Sequence, residues 1–301
     1  MLRESMHIIF EESDTPVDEG VGMGVNESYL SQRIYLAFLV LVILWHSLSL
    51  LSTYIIDVIA LDAISGFIIR FFTRAFLLLF IVPLVLKIPN GQRSFSEYLE
   101  DIKLTQYRPL VRNLIIAVVS TFLLLTGLSL AGVLYGNFTL DLALLLPENS
   151  PLLLVAVNAG IWEEIMWRGI ILTLFLRRFS VRTSIALNTV LFALSHLSNL
   201  LVGQDMLVML GQLIFVLIAT PFIAYVFIRT KSLLPGILIH FSVDALGPIF
   251  MNSMIQPGPS LIVGGIYMLV GWLFGNVLAF GFIHFFMKTR DTPPEVITQD
   301  A

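Results

Sequence analysis

The stretch WEEIMWRG, Trp162–Gly169, sets two glutamates and an arginine in the middle of an otherwise lipid-compatible run, PLLLVAVNAGIWEEIMWRGIILTLFL. Each ionisable group at mid-membrane costs at least about 2.5–3.5 kcal/mol, so those found there mark functional sites by default. His196 lies in a second apolar run, and His240 and Asp244 lie in a third. These side chains are the materials of hydrolysis. A carboxylate and an imidazole can take a proton from water, and hydrogen-bond donors can hold an oxyanion.

Spacing divides the roles. Glu164 and Arg168 stand at i,i+4 with the acid N-terminal, the favourable order for a salt bridge on one helix face. Glu163, one residue earlier, is turned about 100° away and has no partner on its own helix. It is the candidate general base, and His196 is the nearest candidate to share a water with it. His240 and Asp244 are also at i,i+4, face the same way, and are candidate oxyanion donors; Asp244 donates only when protonated.

Depth supports treating them together. Glu163 is 14 residues from Arg177 and His196 is 14 from Arg182, each about 21 Å at the helical rise. Asp244 is 13 residues from Lys231 and His240 is 9, about 20 and 14 Å. Three helices therefore bring their polar groups to a similar level. A purely structural polar cluster is the plainer reading, but such pairs contribute only about 0.6–2 kcal/mol in membranes, poor compensation for so many charges.

The elements that must position these groups are membrane spans. Hydrophobic residues make up 57% of the chain and charged residues 13%, against roughly 25% charged in soluble domains. Eight apolar segments are long enough to cross a bilayer: roughly 34–55, 66–86, 113–135, 151–176, 183–202, 206–228, 233–249 and 261–287. The chain therefore reads as an all-α, polytopic membrane helical bundle. Ser150 and Pro151 suit the start of the fourth span, and Pro235 the first turn of the seventh. Pro83 and Pro221 predict kinks.

Lys and Arg fall in alternate connections: Lys87, Arg93, Lys103, Arg108 and Arg112 in 2–3; Arg177, Arg178 and Arg182 in 4–5; Arg229 and Lys231 in 6–7; Lys288 and Arg290 after the last span. This places both termini in the cytoplasm, in a multi-pass protein of the cell (inner) membrane. Arg70 and Arg74 are the exceptions, near the outer end of the second span, where snorkelling or pairing with Asp57 or Asp62 are the alternatives. His46, beside Trp45, reads as a bundle residue, and His284 as interfacial.

Three further segments have their own signatures. Residues 1–33 carry seven acids against two arginines and form a solvated, disordered cytoplasmic tail rather than a signal peptide. SFSEYLEDIKL contains a capping-box pattern, Ser94 to Glu97, followed by Phe95, Tyr98, Leu99 and Ile102 at helical spacing. It predicts an amphipathic helix on the cytoplasmic face. Gly271 and Gly275 have GxxxG spacing, for close packing within the bundle or in an oligomer. The membrane domain is thus 34–287, followed by a short cytoplasmic tail, 288–301. With no cysteine, disulfides and thiolate-bound metals are excluded.

Three motifs in order, Glu163-Glu164-Ile-Met-Trp-Arg168, Phe192-Ala-Leu-Ser-His196 and His240-Phe-Ser-Val-Asp244, resemble the CPBP intramembrane proteases. This is the CAAX-protease and bacteriocin-processing group, also called the Abi or type II CAAX prenyl endopeptidase family. The resemblance covers roughly residues 150–246. It implies an intramembrane endopeptidase acting on a membrane-associated protein or peptide, of CAAX or leader-peptide type. Glu163 and His196 would activate water, and His240 and Asp244 would stabilise the oxyanion. Glu164, Arg168 and Phe192 would be structural support. The last motif position is often Asn in the family and is Asp244 here.

The family has been described both as metal-independent and as metallo-type. No cofactor is expected; zinc, held by Glu163, His196 and His240, is the alternative, although the motif is not HExxH. The partners implied are the peptide substrate and the bilayer, with no nucleic acid. Two other classes compete. A proton-coupled transporter could use the same groups as a relay, but transporters show repeated halves and spans one to three have no counterpart of the polar set. A non-catalytic immunity or scaffold protein could keep the same fold.

Overall fold

The computed structural model describes residues 27–85, 94–136, 139–146, 150–251 and 259–288, with side chains from Phe38 onward except at Val85, Leu145, Ser150, 259–261 and Lys288. Most of the acidic segment 1–33, Lys87, Arg93 and Arg290, and the tail past Lys288 lie outside them. The described residues are helical, with no strand among them. In chain order the helices are α1 (Glu27–Ile59), α2 (Ala63–Phe76), α3 (Phe95–Asp101), α4 (Leu110–Tyr135), α5 (Ser150–Glu164), α6 (Val181–Ser195), α7 (Met206–Thr230), α8 (Leu234–Met251) and α9 (Pro259–Lys288). The protein is a polytopic membrane bundle.

Seven stretches among the described residues are long and apolar enough to cross a membrane: Phe38–Ile59, Ala63–Leu84, Leu110–Tyr135, Val181–Val202, Met206–Thr230, Leu234–Met251 and Ile262–Met287. Each coincides with an expected span. The eighth expected span, 151–176, is also helical, but its geometry changes on the way. The α-helix ends at Glu164, eight residues follow in π geometry (Ile165–Leu172), and Thr173–Leu176 is α again. Its acids and Arg168 make it less apolar than the rest, although the π stretch is wholly buried. Packing on all sides by protein, rather than by lipid, makes that composition tolerable.

A second π segment, Leu77–Ile81, follows α2 and precedes Pro83. The Val82 N–H reaches back five residues to Leu77 O. The next such donor would be Pro83, which has no N–H, so Leu78 O is left over. The Tyr98 hydroxyl donates to it at 2.6 Å. Burial pushes that hydroxyl's titration up, which keeps it a donor. Tyr98 sits on α3, whose capping box is complete: Glu97 N–H donates to Ser94 Oγ, and Ser94 N–H donates to Glu97 Oε2. The expected amphipathic helix is therefore present, and it is docked. Tyr98 and Ile102 are buried in the same core cluster as Trp162 and Trp167, whereas Phe95 is exposed.

The GxxxG pair also has its answer inside the chain. A Cβ on Gly127 of α4 would lie 2.2 Å from Gly271 O and 2.7 Å from Gly275 N. The two backbones touch, and this face of α9 is filled by α4.

Candidate active site

Glu164 is the hub of the site. Its Oε1 accepts from Arg168 Nη1 at 2.9 Å and from His240 Nδ1 at 2.7 Å, and its side chain has no exposed surface. The first contact is the expected i,i+4 pair. The second spans 76 residues and ties α5 to α8. Two glycines make it geometrically possible. A Cβ on Gly160 would fall 2.9 Å from Phe241 N, so α5 and α8 lie backbone to backbone there; a Cβ on Gly236 would fall 3.2 Å from Glu164 Oε2.

With Nδ1–H donated to Glu164, the His240 ring is fixed in rotation, and Nε2 donates only when it carries a second proton. Its other nitrogen, Nε2, lies 3.5 Å from Asp244 Oδ2. Asp244 is more open, with 38% of its side chain exposed against 13% for His240. This i,i+4 pair shares a face, as its spacing requires.

His196 sits where helix geometry changes. α6 ends at Ser195, and residues His196–Val202 continue as 3-10 helix. The His196 backbone N–H turns to Ala193 O and Leu194 O, which releases Phe192 O. Ser195 Oγ donates to that carbonyl at 2.6 Å, and His196 Nδ1 does so at 2.9 Å. A carbonyl only accepts, so the proton is on Nδ1, and Nε2 carries a free lone pair. This His is thus held in the form that accepts a proton.

Phe192 does more than pack. Its ring centroid is 4.8 Å from the Arg168 guanidinium carbon, 5.1 Å from Trp167, 4.9 Å from the His196 ring and 6.4 Å from the His240 ring. One aromatic side chain therefore gathers the three motifs. The π stretch gains a similar brace where Asn188 Nδ2 donates to Trp167 O at 2.8 Å.

Glu163 stands apart from this network. It is half-buried and makes no hydrogen bond or ion pair among the described residues. It lies within electrostatic reach of His46, Arg74 and Arg168. Two residues not expected at the site are therefore next to it. Arg74 neither snorkels nor pairs with Asp57 or Asp62. It turns inward, donates to Asn158 Oδ1 at 3.1 Å and lies over the Trp45 ring at 4.8 Å. Asp62 instead caps α2, accepting from Ile64 N and Ser65 N. Arg74 and Asn158 were detectable only as polar residues inside apolar spans; nothing local in the sequence says which way they face.

Of the histidines considered as zinc donors, His240 presents both nitrogens to carboxylates, whereas His196 keeps Nε2 free. Among the described residues, no three His, Asp or Glu side chains form a metal-binding group.

A sequence model described as "Type II CAAX prenyl endopeptidase Rce1-like" matches residues 147–246, a segment that contains all three motifs and excludes α1 to α4. No curated protein and no solved structure matched the chain. The matched family is one of CAAX-type intramembrane proteases, and this integral membrane protein is similar to it over residues 147–246.

Proposed function

We propose that the protein is an intramembrane endopeptidase that hydrolyses a peptide bond of a membrane-associated protein or peptide, of CAAX or leader-peptide type. The observation that carries this reading is the separation of the two acids. Glu164 is consumed by Arg168 and His240, whereas Glu163 is unpaired. In the reaction, Glu163 and the His196 Nε2 lone pair activate a water. The water oxygen bonds to the carbonyl carbon, and the developing oxyanion is held by Nε2–H of a doubly protonated His240 and by Asp244 in its protonated form. The C–N bond then breaks, and the leaving amine takes the proton that Glu163 accepted. The reading is metal-free, because His240 has both nitrogens turned to carboxylates.

The first test is Glu163→Gln. Cleavage should be lost while folded yield stays within about twofold, since the change removes a base and little packing. Peptide lengths in membrane fractions, compared between the parent and this variant by proteomics, also reveal the substrate. Retained cleavage would refute the assignment. Chelation should leave turnover unchanged; loss restored by added zinc would overturn the metal-free reading. We also place both termini in the cytoplasm, from the basic connections. Reporters fused at Asn137 and Gln256, which lie outside the described residues, should be external.

A further inference from the structure

One helix reaches the proposed catalytic groups from outside the segment that matches the family. Arg74 Nη1 of α2 donates to Asn158 Oδ1 of α5 at 3.1 Å, and Phe71 of α2 meets the Trp162 ring edge-on at 4.9 Å. The contact nearer the start of α2 falls nearer the end of α5, so the two helices run antiparallel. Each pair of residues is about one turn apart, which sets the two faces in register. Glu163 directly follows Trp162 and is about 7.5 Å from Asn158 along the axis. Arg74 also lies over the Trp45 ring at 4.8 Å, and it lines a small polar cavity with His46 and Asn199. Asn199 is in the 3-10 turn that begins at His196. The guanidinium thus sits between the helix that carries Glu163 and the turn that carries His196. Both groups that hold it are neutral, and the carboxylate within its electrostatic reach is Glu163. A cation kept inside an apolar bundle by neutral partners is costly and points to a task.

We propose that Arg74 is a positioning residue for Glu163: anchored by Asn158 and Trp45, its charge orients the Glu163 carboxylate without bonding to it. The inference rests on the protease reading and adds a residue that the three motifs leave out. Glu164 shows why the lack of a bond matters. Arg168 and His240 both donate to Glu164 Oε1, which fixes that acid and takes up its lone pairs. Glu163 makes no such bond among the described residues, so its oxygens stay open to a water. Hydrogen bonds to a carboxylate favour its charged form and so make it a weaker proton acceptor. A charge acting through space orients the group and leaves those acceptor positions free. Asn158 and Trp45 hold the guanidinium whether or not Glu163 carries a proton, so the orienting field is set before the reaction starts.

The test uses the full chain in phosphatidylcholine nanodiscs, with an internally quenched, prenylated CAAX-type peptide as the probe. Arg74→Gln removes the charge. It should lower kcat per folded molecule roughly tenfold or more, as misplacement of a catalytic group does, with KM within about twofold. Arg74→Lys keeps the charge and should recover about a third or more of the parental kcat. Asn158→Asp leaves Arg74 in place but gives it a bonded carboxylate that offsets its charge. There kcat should fall roughly tenfold while folded yield holds or rises. An Arg74 that only tied α2 to α5 would leave turnover unchanged in that variant. Unchanged turnover in Asn158→Asp, or equal kcat for the Gln and Lys variants, overturns the proposal. A second measurement needs no cleavage: the Tm of the parent, Arg74→Gln, Glu163→Gln and the double variant. If the two groups act on each other, the double variant should melt above the value obtained by adding the two single shifts. Additive shifts overturn the proposal. If the parent cuts nothing, the protease reading fails, while the Tm comparison still decides whether Arg74 acts on Glu163.

Discussion

The contact between α4 and α9 and the contact between α5 and α8 are both built on glycine, and they do opposite things with it. At the first, Gly127 meets Gly271 and Gly275, and the space a side chain would fill is taken by backbone. Nothing polar depends on it. At the second, Gly160 brings the backbones together and Gly236 leaves room for the Glu164 carboxylate, which bonds Arg168 and His240 there. In lipid, close backbone approach supplies association directly through packing. A buried charge network adds little net stability. The first contact is therefore there to hold the bundle, and the second to hold a side chain in one orientation.

The largest effect should come from breaking the packing contact. In Gly127→Val, the new Cβ alone would sit 2.2 Å from a main-chain oxygen, and neither helix can yield without losing the other. Overpacking of this kind costs about 1–3 kcal/mol or more. Monodisperse protein after detergent extraction should fall to a small fraction of the parent. Normal yield would mean that α4 and α9 do not meet there.

Next is Glu164→Gln. Arg168 has no exposed surface, so removing its acid leaves an unpaired buried charge, a cost of about 3–5 kcal/mol. Yield and activity should both drop, unlike the result for Glu163→Gln. Adding Arg168→Met sharpens the comparison. The second change removes the stranded buried charge, so yield should recover in part while activity does not. Recovery of both would show that the network only holds helices together.

Gly236→Ala is milder. Its Cβ would press at 3.2 Å on Glu164 Oε2 and at 3.3 Å on Ile223, so the carboxylate must shift by a few tenths of an ångström. Turnover should fall roughly tenfold, as misplacement at catalytic sites does, with yield nearly unchanged. A fall in yield without a fall in turnover per folded molecule would place Gly236 with the packing glycines.

How far the sequence foretold these features depends on their range. The Glu164–Arg168 pair, the Ser94–Glu97 capping box and the shared face of His240 and Asp244 are all set within one or two helical turns, and spacing alone specifies them. The span limits are legible because lipid demands long apolar runs. The bond from Glu164 to His240 is not, since it depends on how two helices are rotated about each other. The π segments are equally hidden: residue types do not record whether a helix bonds back four or five residues, although Pro83 explains afterwards why Leu78 O needs Tyr98. Arg74 shows the same limit. Its depth could be counted, but its direction across the bundle could not, and Asp57 or Asp62 were the neighbours in sequence while Asn158 and Glu163 are the neighbours in space.

The smallest change tests the loosest link of the network. Asp244 lies 3.5 Å from His240 Nε2 and is the most exposed of the paired acids at the site. As a carboxylate it can only accept, so it either steadies His240 or donates to the oxyanion after taking up a proton. Asp244→Asn keeps the shape and supplies an N–H without titration. If the group acts as an oxyanion donor, turnover at neutral pH should be retained or rise by a few-fold, and its dependence on acid should weaken, because the donor is present at every pH. If it acts instead by holding His240, the rate should fall and the fall should not be relieved by lowering the pH. Since Glu164 already fixes the His240 ring at 2.7 Å from the other side, we expect the first outcome. A kcat profile from acid to neutral pH, measured on both proteins with the same substrate, separates the two.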